Sequence, residues 1–137
     1  MTVTINASTS TGLVQTADTS GILNIQSNGV NTNAQAWVNF NGVSTATIRA
    51  SYNISSVTYN GAGDYTLNFT NAMTDTNYAT IMSGTMDVVS SGAQYWIGMR
   101  ASSGTPTTKT TSAVRVVSLQ YNTAQIDSQQ MSIVIFR

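Results

Sequence analysis

Asn53-Ile-Ser-Ser-Val-Thr-Tyr-Asn-Gly-Ala-Gly-Asp-Tyr-Thr-Leu-Asn-Phe-Thr70 decides how the rest of this chain is read. Ile54, Val57 and Tyr59 lead into Asn60-Gly-Ala-Gly-Asp64, and the return run alternates without a break. Tyr65, Leu67 and Phe69 fall on one side, Thr66, Asn68 and Thr70 on the other. A period of two places successive side chains on opposite faces of a strand, so one face is apolar and the other polar. Gly61 and Gly63 let the connecting loop reach positive φ without strain. The stretch predicts a β-hairpin.

Working outward, the same short alternating runs recur between turn residues. Gly21 to Gly29 reads as a strand closed by an Asn-Gly turn, and Ala36-Trp-Val-Asn-Phe-Asn-Gly42 ends in the same way. Further strands are predicted over Thr45 to Ala50, Asn77 to Gly84, Thr85 to Val89, Gln94 to Ala101, Ala113 to Tyr121 and Gln130 to Phe136. Met131-Ser-Ile-Val-Ile-Phe136 is apolar enough to be a central strand buried on both faces. Ser102 to Ser112 holds the only proline, Pro106, in a Thr/Ser run, and is expected to be a long exposed loop. No segment carries helical periodicity with caps. The expected fold is all-β: an antiparallel β-sandwich or jelly-roll-like barrel of about nine or ten strands. Residues 1–20, Thr/Ser/Ala-rich and weakly apolar, are expected to be an extended arm or an edge strand before a single sandwich domain over residues 21–137.

Composition restricts the chemistry. The chain has no His, Cys or Glu and only five Asp, while Ser, Thr and Asn supply 52 of 137 residues. Charged residues make up 7%, against about 25% in ordinary soluble domains. Net charge is zero, so copies repel one another little. Arg49, Arg100, Lys109, Arg115 and Arg137 are scattered rather than clustered, which argues against nucleic-acid binding. Without Cys there is no disulfide framework and no thiolate zinc site. No apolar run approaches the roughly 18 residues of a membrane helix. Met1-Thr-Val-Thr-Ile-Asn6 has neither the basic start nor the apolar stretch of a signal peptide.

Catalytic constellations are sparse. No His is present to activate the many hydroxyls, and Lys109, the one lysine, sits in a polar loop. Asp64, Asp75, Asp87 and Asp127 are the carboxylates available for glycoside hydrolysis, but Asp64 and Asp75 sit where turn formers sit. No cofactor and no metal ligand set is expected. Trp37, Tyr52, Tyr59, Tyr78, Tyr95, Trp96 and Tyr121 are candidates for stacking on sugars; against this, Trp37 and Trp96 are expected in the core. The Asn-X-Ser/Thr sites at Asn6, Asn53 and Asn68 are what chance gives in such a composition.

Ala7 to Gly29 is similar to the Thr/Ser-rich leader of many small structural proteins of tailed bacteriophages, aquatic ones especially. Ala36-Trp-Val-Asn-Phe-Asn-Gly42, the stretch from Ile48 to Tyr59, and Asn60-Gly-Ala-Gly-Asp-Tyr-Thr-Leu-Asn-Phe-Thr70 resemble the module that follows that leader. The resemblance covers roughly the first half of the chain. It implies a β-rich virion surface protein, a homotrimer, found either at tail-fibre tips or free-standing on heads. It supplies no catalytic residue. With only about twenty residues before the β-domain, rather than a long fibre shaft, the expectation is a capsid cement or decoration protein on the virion head. Its partners would be itself and the major capsid protein, or else tail proteins, with a host glycan as the possible ligand of a fibre tip. The expected contact residues are Val3, Ile5, Leu13 and Val14 in the arm, which can add a strand to a sheet edge, and Arg49, Arg100 and Arg115, since Arg is favoured at interfaces.

Deleting residues 1–18 should leave the β-domain folded, as judged by circular dichroism, while abolishing incorporation into particles; unfolding of the truncated chain would make the segment a core strand instead.

Overall fold

The computed structural model describes residues 26–27, 30–85, 95–99, 109–120 and 124–137. The expected arm, with Val3, Ile5, Leu13 and Val14, therefore lies outside the described residues, as do Arg100 and most of the Ser102 to Ser112 stretch.

The hairpin forms as the alternation requires. β5 (Ile54–Gly61) and β6 (Asp64–Phe69) pair antiparallel from Ile54↔Phe69 to Gly61↔Asp64. Between them Gly63 adopts φ 64°. A side chain there would collide with the Ser118 carbonyl oxygen and the Ile126 backbone, so both conformation and space demand glycine.

β6 pairs on its other side with β9 (Ala113–Gln120), and β9 with β8 (Tyr95–Met99), giving a four-stranded antiparallel sheet in the order β5-β6-β9-β8. A second antiparallel sheet has the order β4-β3-β10-β7, built from β3 (Ala34–Asn41), β4 (Thr47–Tyr52), β7 (Ala79–Thr85) and β10 (Gln130–Phe136). A two-residue ladder of β1 (Gln26–Ser27) and β2 (Val30–Asn31) stands apart. Among the described residues the two four-stranded sheets thus hold eight strands, not nine or ten. Of the expected first strand only Gln26 and Ser27 are described as extended; Thr85 belongs to β7, and the rest of the expected Thr85 to Val89 strand lies outside the described residues.

One residue passes the chain from sheet to sheet. Asn53, between β4 and β5, takes φ 54°, a left-handed conformation that Asn tolerates better than most residues. Its side chain secures the bend, donating to the carbonyls of Gln35 (3.0 Å) and Asn71 (3.2 Å) and accepting from the Asn71 amide (2.8 Å).

The buried faces of both sheets contribute to one apolar cluster. Ala36, Val38 and Phe40 of β3 and Met131, Ile133 and Ile135 of β10 meet Tyr65, Leu67 and Phe69 of β6 and Val114 and Val116 of β9. Met73 and Tyr78 fill one end. Phe40 meets Tyr65 edge to face at 5.2 Å between ring centres, and Phe69 meets Tyr78 at 5.8 Å. Each large apolar side chain removed from water here contributes about 1.5–3 kcal/mol.

Two expectations are corrected. β10 is central, between β3 and β7, but buried on one face only: Met131, Ile133 and Ile135 are covered, while Val134 and Phe136 on the other face stay partly open. Nor are the tryptophans core residues, since Trp37 is 38% and Trp96 65% exposed. Both fall on the outward positions of their strands, and pleat parity overrides their hydrophobicity.

Truncating Ile133 to Ala should cost about 2–5 kcal/mol in urea unfolding, whereas Ser132→Ala, one step along the same strand, should cost less than about 1 kcal/mol. Equal costs would show that the assigned faces are wrong.

Candidate functional site

Each described carboxylate is already engaged. Asp64, 3% exposed, starts β6 on the outer face of its sheet. Arg115 from β9 grips it bidentately, Nε to Oδ1 at 2.7 Å and an Nη to Oδ2 at 2.8 Å. That contact holds the guanidinium above its ordinary pKa. Asp75 forms an exposed pair with Arg137 and accepts from the Asn77 amide at 2.7 Å. Arg137 first, then that amide, holds its carboxyl below the usual range, though an exposed pair of this kind adds little net stability.

Asp127 is a junction of loops. Its carboxylate accepts from the Gly63 amide (2.8 Å), the Ser44 amide (3.3 Å) and the hydroxyls of Tyr59 and Tyr65 (both 3.2 Å). The Tyr65 hydroxyl also lies 3.1 Å from the Gly42 carbonyl oxygen and accepts from the Ser128 amide at 3.4 Å. A side chain at Gly42 would overlap that hydroxyl. One carboxylate thereby ties the β3–β4 connection, the β5–β6 turn and the segment before β10. Lys109 is occupied elsewhere: its ammonium donates to the Tyr78 carbonyl and lies 4.9 Å over the Tyr78 ring. Among the described residues no three His, Cys, Asp or Glu gather as metal ligands, and no helix is long and apolar enough to cross a membrane.

The outer faces of the sheets differ in character. Across β5, β6 and β9 the outward side chains hydrogen-bond one another. The Asn68 amide donates to Ser56 and Thr58 hydroxyls, both at 3.0 Å, and the Asn60 amide donates to Thr66 (2.9 Å) and Asp64 (3.2 Å). On the other sheet, register places Tyr52 opposite Trp37, Trp37 opposite Val134, and Val134 opposite Ile81. This is an outward apolar row four strands wide, ending at an Ile81 that is 63% exposed. A neighbouring row is polar, with Asn39 donating to Ser132 at 2.8 Å.

Of the expected contact residues, Arg49 is exposed on β4 and donates to the Gln129 carbonyl at 2.9 Å, and Arg115 is held by Asp64. They lie on different sheets and do not converge. Among the candidate stacking aromatics, Tyr78 is buried and Tyr59 packs against the core, while Trp37 and Tyr52 are neighbours on the open row; Tyr121 and the Tyr95 side chain lie outside the described residues. The sequence reading missed Ile81 and Val134 as surface residues and Asp127 as a junction. The row's only signal was the odd positions of β3 and the even positions of β10, legible once register is known. No protein-family model, no curated protein and no solved structure matches this chain.

Burial pushes the Tyr78 hydroxyl up to about 12 and raises that of Tyr65 further, the nearby Asp127 adding to the latter. Both stay protonated in the folded chain above the ordinary value of 10.0. The stability they contribute is complete below that value and is lost as pH rises through it toward the folded values. Urea midpoints should therefore hold steady up to about pH 9 and fall between about pH 10 and pH 12, less steeply in Tyr65→Phe; identical profiles would remove Tyr65 from the alkaline transition.

Proposed function

We propose that this chain is a non-enzymatic virion structural protein, a capsid cement or decoration protein that binds the head surface as a homotrimer. The observation that carries the docking role is the row Tyr52, Trp37, Val134 and Ile81, which joins one outward apolar side chain from each of four adjacent strands. A connected apolar strip on an exposed sheet face, bordered on one side by the polar Asn39–Ser132 row, is a surface built to be covered. The virion setting rests on the resemblance of the leader and of the Trp37 and Tyr65 segments to small phage structural proteins. The way the described carboxylates are spent on Arg115, Arg137 and the loop junction supports a role without catalysis. For the architecture we propose an antiparallel β-sandwich, supported by the single cluster that both sheets share and by the Phe40–Tyr65 contact.

Docking through such a row needs few charges. Burying apolar area across a joint between capsid subunits removes it from water at about 25 cal/mol per Å², and a shell repeats the contact over many copies. Ser, Thr and Asn at the rim can hydrogen-bond a neighbour without the desolvation penalty of buried ions.

A second reading, a tail-fibre tip that binds a host receptor or glycan, is favoured by Trp96. It lies outward on β8 opposite Leu119, with its ring open to stacking.

The test is binding of the purified chain to particles lacking it, with location by cryo-electron microscopy. Many symmetry-related head positions support the cement role, and a few copies at the tail support the second reading. The double substitution Trp37→Ser and Tyr52→Ser should leave the circular dichroism spectrum intact and weaken particle binding at least tenfold, a loss of about 1.4 kcal/mol or more. Undiminished binding would rule the row out as the docking face.

A further inference from the structure

We propose that β7 pairs edge to edge with β7 of a second copy of this chain, antiparallel about a two-fold axis at Ile81. The pairing is independent of the virion setting, because it rests on the sheet alone.

A sheet edge presents unpaired amides and carbonyls that template another strand unless something blocks them. Two of the four edges are blocked. β4 carries Arg49 and a register shift against β3 at Asn39/Phe40. β5 is distorted twice, between Ile54 and Ser56 and between Tyr59 and Gly61. β7 has none of these features. Ala79–Thr85 holds no charge and no proline, and pairs with β10 over all seven residues without a shift. Among the described residues no strand pairs with its other edge.

Register then selects the partner. Antiparallel pairing about Ile81 sets Ile81 against its own copy, Ala79 against Ser83, and Thr80 against Met82. No like charges meet, and each residue keeps the face it already occupies. The outward row would run unbroken across eight strands, from Tyr52 through Ile81 to the second Ile81 and on to the second Tyr52. Such a contact is isologous and closes on itself. The zero net charge removes long-range repulsion between copies. It would also bring Ile81, the most open aliphatic side chain of the row, out of water.

Two measurements on the full chain test this. By light scattering, the mass of the wild-type assembly should exceed that of Ile81→Lys, whose exposed position leaves the fold intact by circular dichroism: twofold where the unit being joined is a monomer, and at least twofold where it is a trimer, which carries three such edges. Since the chain has no Cys, a single Ile81→Cys can bridge only between copies. Opposed Cα atoms in an antiparallel pair lie about 4.5–5.5 Å apart, within disulfide reach. Ser83→Cys places its counterpart about 14 Å away along the strand, at roughly 3.4 Å per residue. Under mild oxidation Ile81→Cys should form covalent dimers at least ten times faster than Ser83→Cys. Equal masses for wild type and Ile81→Lys, or equal cross-linking at the two positions, would overturn the pairing. Either result leaves the particle-binding test of the cement role untouched.

Discussion

The contact between Tyr65 and Asp127 is the constraint on which the rest of the structure depends. Tyr65 sits in the apolar cluster with its ring against Phe40, and its hydroxyl emerges where three loops converge. Asp127 meets it there, together with the Gly63 and Ser44 amides and the Tyr59 hydroxyl. The Gly42 amide donates to the Ser128 carbonyl at 2.8 Å and the Ser118 amide to that of Gly63 at 2.8 Å, so backbone bonds surround the same point. A charge-assisted acceptor that satisfies several donors is stronger than a neutral one. In a chain with five carboxylates, using one as a fastener means that loop placement in both sheets depends on a single side chain.

Much of the fold was legible because it is local. The alternation in Tyr65–Phe69 has a single physical meaning, and the Gly61 to Gly63 loop permits only a tight return, so the β5–β6 hairpin follows from about eighteen adjacent residues. The central place of β10 was legible from its apolar run. Its one-sided burial was not, because Val134 and Phe136 look like core residues until register shows them outside. The tryptophans misled for the same reason. Composition argues for burial, but a residue between Ala36 and Val38 on a strand must face away from them.

The candidate surfaces were harder to read. The row from Tyr52 to Ile81 gathers one residue from each of four strands whose order in the sheet differs from their order in the chain. Asp127 reaches partners 62 to 83 positions away. No spacing rule connects such positions. What composition did convey was the scarcity of ionisable groups, and the pairings of Asp64 and Asp75 show the few available being used within the fold.

The hydrogen-bonded ladder over β5 and β6 has a consequence for the conditions under which this protein can work. Ser56, Thr58, Asn60, Thr66 and Asn68 join through hydroxyls and amides, none of which gains or loses a proton in ordinary media. With no His and no Cys, the chain has no side chain whose unperturbed pKa lies between roughly 5 and 9. The charge on these side chains is therefore nearly constant from mildly acidic to mildly alkaline water. Added salt has few ion pairs to screen. A surface of this kind responds little to mild changes of pH or to added salt, which leaves shape as the property by which it is recognised.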